Sequence, residues 1–127
     1  MVALPWLAGP QDTNTLDASV VMASRFELAS SRHVLRFLVA SLRIHRQVRR
    51  SDGAIGVALI ARPVRREFYT LSAWRDRDAI DAMVSAEPHR SVMETFRQHT
   101  ADAEFTFWTT SSSLRPTWAD AHSRLGR

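Results

Sequence analysis

Residues 18–28, ASVVMASRFEL, alternate between apolar and mixed positions. Val20, Met22, Ser24, Phe26 and Leu28 fall on one face, and Val21, Ala23, Arg25 and Glu27 on the other, which predicts a strand. At residues 32–50 the period changes to that of a helix. Leu35, Leu38, Leu42 and His45 form its expected inward stripe, with Val34, Val39 and Val48 at the edges. Arg36, Arg43 and Arg50 recur every seven residues on a solvated side. Ser30 or Ser31 is placed to cap the helix start, and Gly53 to end it. Residues 54–63 and 67–74 read as two further strands, close enough to pair as a hairpin around VRR. Asp76 or Asp78 can cap a helical stretch running to about residue 99, in which Pro88 starts a new segment or kinks the helix. Residues 103–110, AEFTFWTT, alternate again as a strand.

The order strand, helix, strand, strand, helix, strand is the split βαβ pattern of an α+β, ferredoxin-like domain with a four-stranded antiparallel sheet. It spans residues 18–112. Residues 1–17 carry Pro, Gly, Asn and Thr without a period and read as an extension held by Trp6, and residues 113–127 as a tail able to form one short helix. Two helices cover one face of such a sheet. The other face carries Val21, Ala23, Tyr69, Leu71 and Ala73, with Trp108 beside them. An apolar surface of that extent is rarely left in water, so the pattern predicts a homodimer through the sheet face. On that face Arg25 and Glu27 are expected at the rim, or paired with each other or across the interface, because an unpaired buried charge is costly.

Composition narrows the function classes. The chain has 127 residues, enough for one domain with one core. All 17 basic residues are arginine, which with the many alanines suggests a GC-rich, actinobacterium-like coding sequence. The absence of lysine excludes Schiff-base chemistry on this chain. The net charge is +4, with arginines spread among acids rather than gathered with aromatics, so no nucleic-acid partner is expected. No apolar run reaches the ~20 residues that span a bilayer, so no membrane partner is expected, and the start lacks the basic residues of a signal peptide. The expected setting is the cytoplasm. Without cysteine there is no disulfide, thiolate metal site or thiol nucleophile. Neither a phosphate-binding loop, a dinucleotide fingerprint, a G-x-S-x-G turn nor a histidine pair at metal-ligand spacing occurs.

What chemistry remains lies between sheet and helices. Trp74 ends a strand, either as core bulk or as the wall of a flat pocket. His89 opens a helical segment after Pro88, a position that disfavours the imidazolium and keeps the ring neutral. His45 lies on the stripe of the first helix, as a hydrogen-bonded boundary residue or as a second polar group in the same pocket. Ser24 is a small hydroxyl in the apolar row of Met22 and Phe26, where a backbone hydrogen bond is its ordinary use. His33, His99 and His122 carry no pattern.

The run TLSAWRDRDAIDAMVSAEPHRSVM, residues 70–93, resembles the dimeric α/β-barrel superfamily, in particular its antibiotic-biosynthesis-monooxygenase-like and spheroidene-monooxygenase-like branches. A T-x-x-W-like step at Thr70 to Trp74, an aliphatic helix start at residues 79–84 and a small-x-x-His step at Ser85 and His89 carry the likeness, which extends over residues 18–112. It implies two ferredoxin-like copies closing a barrel. It also implies a monooxygenase-type oxidoreductase acting on a small hydrophobic, aromatic or polyene-like substrate held by Trp74, Ser24, Met22, Phe26 and Met93, with His89 and His45 as catalytic groups. No cofactor is required on that reading. Haem is the alternative, with His89 as ligand: aligned with haem-degrading members, Trp74 matches, Ser24 replaces their asparagine, and the ligand histidine falls near Met93. A non-catalytic dimeric ligand-binding module is the third reading.

Overall fold

The computed structural model describes residues 1–126. The alternating segments form β2 (Ala18–Leu28), β3 (Ala54–Arg62), β4 (Glu67–Trp74) and β5 (Thr100–Ser111). The helical ones form α1 (Val34–Arg49), α2 (Arg77–Ser85), α3 (His89–Phe96) and α4 (Trp118–Leu125). The architecture is the expected α+β one, with two additions. Residues 2–8, within the segment read as an extension, form a strand, β1 (Val2–Ala8), antiparallel to β3. The sheet therefore has five antiparallel strands in the order β1-β3-β4-β2-β5. Trp6 fixes β1: its indole lies over Gly56, where any side chain would overlap the ring. The second addition is α4, capped by the Thr117 hydroxyl, which accepts the Asp120 N–H at 3.1 Å, and ended by Gly126 in the left-handed region.

α4 corrects the ground for a sheet-to-sheet dimer. Ala121 and Leu125 pack on Val21, Ala23, Tyr69, Leu71 and Ala73, and Trp6, Trp108 and Trp118 close the margins. Leu71 is 1% exposed within the single chain. The face is not bare, because the chain's own tail covers it. At one end of this face Arg25 is buried and pairs with Glu27 at 2.8 Å, Glu67 at 2.9 Å and Asp102 at 3.1 Å, while the Tyr69 hydroxyl donates to Glu67 at 3.1 Å.

On the other face α1, α2 and α3 cover the sheet. Here the expected stripe of α1 is rotated. Phe37, Ala40, Ser41, His45 and Val48 are the buried positions, while Leu35 is 72% exposed and Val39 and Leu42 also face solvent. The deciding contact is Phe37, whose ring lies 4.6 Å from Phe68 and 4.9 Å from Phe96, centroid to centroid. Seating that aromatic orients the helix and turns Leu35 and Leu42 outward, while Leu38 stays packed against the aromatic cluster. The stretch after β4 divides into two helices at Pro88, and Asp76 caps the first by accepting the Ala79 N–H at 2.8 Å.

Candidate active site

β2 and β4 pair so that Ser24 stands opposite Thr70 and Met22 opposite Ser72. All four side chains face the helices, where α1 brings His45 and Ser41 and the start of α3 brings His89 and Met93. Together they bound an inner cavity of about 60 Å³. That is room for about two waters or one small polar group. Beyond it opens an outer cleft of about 590 Å³, within the range of small-molecule sites. Met22, Phe26, Phe37, His89, Met93 and Phe105 border both spaces and form the neck between them. The outer walls are aromatic, with Phe105, Phe107 and Phe96, and the rim is charged, with Arg77, Asp81, Arg97 and Asp102. The Arg77 guanidinium lies 3.7 Å from the centre of the Phe107 ring.

The hydroxyls of the inner cavity have partners. Ser24 and Thr70 share a hydrogen bond, Ser41 donates to the Phe37 carbonyl at 2.7 Å, and Ser72 accepts the Trp74 indole N–H at 2.8 Å. The imidazoles are different. His45 Nε2 and His89 Nδ1 are buried without a partner. Each ring is hydrogen-bonded to the backbone, His45 at Val57 and His89 at Val84. A neutral imidazole carries one N–H and one lone pair, so each of these rings keeps one nitrogen able to accept. Burial lowers both pKa values below the ordinary histidine value; the Arg49 charge adds to this at His45, and the backbone bonds oppose it only in part. A neutral imidazole with a free lone pair beside an apolar cleft is equipped to take a proton.

Of the residues singled out in the sequence, His45, His89, Ser24, Met22, Phe26 and Met93 all line the inner cavity. Trp74 does not. It is fully buried in the core with Met22, Val57, Ile80 and Met83, and it reaches the cavity only through its hydrogen bond to Ser72. The expectation of an indole stacked on a ligand is corrected accordingly: the ring follows the strand alternation into the space under α2. Sequence reasoning missed Gln47, whose Oε1 accepts the His89 N–H at 2.9 Å and whose Nε2 donates to the Met83 carbonyl at 3.0 Å. It also missed Thr70 and Ser72, although the period-two row Thr70, Ser72, Trp74 was visible.

A family described as a domain of unknown function, DUF3291, matches residues 40–127. The chain belongs to that family. No curated protein matches it in sequence. Among solved structures, this DUF3291 chain resembles a Nitrosomonas europaea protein assigned as an antibiotic biosynthesis monooxygenase, at 16% identity and a TM-score of 0.66, over 78% of this chain and 93% of that one. It also resembles SnoaB, a cofactor-independent oxygenase from Streptomyces nogalater, at 18% identity and a TM-score of 0.60, over 80% and 96% of the two chains. A Shewanella oneidensis protein matches at 13% identity and a TM-score of 0.64, over 84% and 97%. The DUF3291 chain thus shares the fold of antibiotic-biosynthesis-monooxygenase-like proteins, the superfamily its sequence resembles.

Haem, the alternative cofactor, does not fit this DUF3291 site. The space beside both imidazoles is about 60 Å³, far too small for a porphyrin. The outer cleft meets His89 only at a neck crowded by Phe26, Phe37 and Phe105, and the ring is already held by the Val84 backbone. Among the described residues no group of three or more His, Asp or Glu side chains is placed to hold a metal ion. No described helix is long and apolar enough to cross a membrane.

Proposed function

We propose that the chain is a monooxygenase-type oxidoreductase that works without a cofactor on a small hydrophobic, aromatic or polyene-like substrate. The observation that carries this reading is the pair of neutral imidazoles, each with an unpartnered nitrogen, at the inner end of an aromatic cleft. The likeness in fold to SnoaB, a cofactor-independent oxygenase, supports it. In the proposed reaction the substrate lies in the outer cleft against Phe105 and Phe107, with its reacting carbon at the neck. His89 takes a proton from an acidified C–H, and His45 accepts a hydrogen bond from the substrate's polar end. The resulting carbanion gives its electrons to dioxygen, a carbon–oxygen bond forms, and the hydroperoxide loses water. One methylene becomes a carbonyl, one oxygen atom is retained and the other leaves as water. The setting on this reading is cytoplasmic.

The test is oxygen uptake with a panel of polycyclic aromatic ketones that carry an acidified methylene. Uptake with equimolar carbonyl product supports the proposal, with His89→Ala and His45→Ala each costing about 10²–10⁴-fold in rate. Unchanged turnover in both variants would remove it. A non-catalytic binding module is the second reading, favoured by the hydroxyls of the inner cavity being already bonded to one another or to the chain. It predicts that such a compound raises the melting temperature by mass action with no oxygen consumed.

A homodimer through the sheet face would require α4 to lift off or to be exchanged between copies. Light scattering on the intact chain distinguishes the cases: a dimer mass supports exchange, and a monomer mass leaves α4 as the resident cover.

A further inference from the structure

The outward side of α1 joins two properties that surface helices usually keep apart. Leu35, Val39 and Leu42, at i, i+4 and i+7, are 72%, 52% and 40% exposed. They form one apolar row along the crest of the helix. Arg32, Arg36, Arg43 and Arg46 stand exposed beside that row. Between Glu27 and Asp52 the chain has no acidic residue. Among the described residues, arginine ion pairs are made by Arg25, Arg75, Arg77 and Arg90, and none by the arginines of α1.

A second patch of the same kind lies in the turn between β3 and β4. Val64, in the turn between β3 and β4, is 97% exposed and stands among Arg62, Arg65 and Arg66. The Arg66 Nε donates to the Leu28 carbonyl at 3.0 Å, and the Leu28 N–H donates to the Arg66 carbonyl at 2.9 Å. These bonds tie the turn to the end of β2, from which the chain runs on into α1.

We propose that the crest of α1, with the Val64 turn as a second contact, seats the protein on an anionic lipid surface. The guanidinium groups meet phosphate headgroups, and the leucines and valines reach the acyl boundary. Charge decides against a second copy of this chain as occupant, because a symmetric contact would set arginines against arginines. The row stands on the crest, so a flat surface meets Leu35, Val39 and Leu42 together. Lying on a membrane needs no spanning segment, so the short apolar runs of the sequence are no objection. The outer cleft opens on the same helical layer of the fold.

The test is co-sedimentation of the full chain with phosphatidylcholine vesicles, with and without about 30% phosphatidylglycerol, at low and high salt. Binding to the anionic vesicles alone, lost at high salt, is the expected result. Arg36→Gln with Arg43→Gln should weaken it roughly fivefold per arginine. Leu35→Ser with Val39→Ser should weaken it about tenfold or more with the salt dependence kept. Val64→Ser provides a variant outside any helix, and thermal melting of each variant confirms its fold. The proposal is overturned by absence of binding to anionic vesicles, by equal binding to neutral ones, or by full binding in the Leu35/Val39 pair. Binding of a polyglutamate peptide as tightly as the vesicles would also overturn it, assigning the face to an acidic protein.

Discussion

The side-chain oxygen of Gln47 accepts the backbone N–H of His89 at 2.9 Å, across the seam between α1 and α3. The same amide holds the Met83 carbonyl near the end of α2, so one residue fixes the junction from which His89 departs. Gln47→Ala leaves the His89 N–H without its partner, at about 1–3 kcal/mol if no water replaces it, while the Met83 carbonyl keeps the Ala86 N–H at 3.1 Å. Thermal unfolding should show that loss. Oxygen uptake on an accepted substrate should fall with it, because the imidazole is no longer held. Gln47→Glu keeps the acceptor for His89 and should recover part of both. Full activity in Gln47→Ala would show that the junction holds without it.

Burial lowers the pKa of both His45 and His89. The unfolded chain therefore takes up protons at its ordinary histidine pKa of about 6.5, where the folded chain does not. Their contribution to stability is complete above that pH and is lost as pH falls below it. Urea midpoints should drop between roughly pH 7 and 5 in the native chain. The drop should be shallower in a His45→Gln, His89→Gln double variant. An equal slope in both would count against neutral buried rings.

Arg25 gathers three carboxylates on the outer face. Burial pushes the Glu67 carboxyl up, but its bonds from Arg25 and Tyr69 outweigh this and hold it below the usual range. Stability from Glu67 is therefore present above the ordinary carboxylate pKa and is lost as pH falls through the lowered one. Arg25→Met removes the guanidinium that these carboxylates share and should cost about 3–5 kcal/mol near neutral pH. The gap to the native chain should narrow as acid neutralises them, which chemical denaturation at several pH values would reveal. A gap that stays constant would mean the loss is one of packing.

Ending the chain after Pro116 removes α4 and opens the surface of Val21, Leu71 and Tyr69 to water. The truncated protein should associate with rising concentration in light scattering, as two bare faces pair. A truncated chain that stays monomeric and folded would show that α4 is dispensable as a cover.

The fold was legible because its strands alternate and its first helix is long; Met22, Ser24 and Phe26 on one face and Val21, Ala23 and Tyr69 on the other could be assigned by parity alone. The rotation of α1 was not legible. Leucines and phenylalanine compete for the same buried stripe, and only the packed position of Phe68 and Phe96 decides between them. The site was half legible for a similar reason. His45 and His89 stand out as titratable groups at helical positions, but Gln47 acts through a contact 42 residues away, which no local spacing reveals. For Trp74 the sequence leaves core bulk and pocket wall both open; the packed strand carries its ring into the core and leaves Ser72 as its contact with the cavity.

The fit of Trp6 over Gly56 also governs how this protein avoids its neighbours. β3 reads AIGVALIAR, an almost uninterrupted apolar strand whose outer hydrogen-bonding edge is occupied by β1. Remove β1, and that edge becomes a row of open N–H and C=O groups on a β-prone segment whose one charge, Arg62, stands at its end, a template for any second extended chain. The first eight residues thus serve as a guard strand. A substitution as small as Gly56→Ala, by displacing one indole, would leave the cleft chemistry untouched and turn the protein toward aggregation.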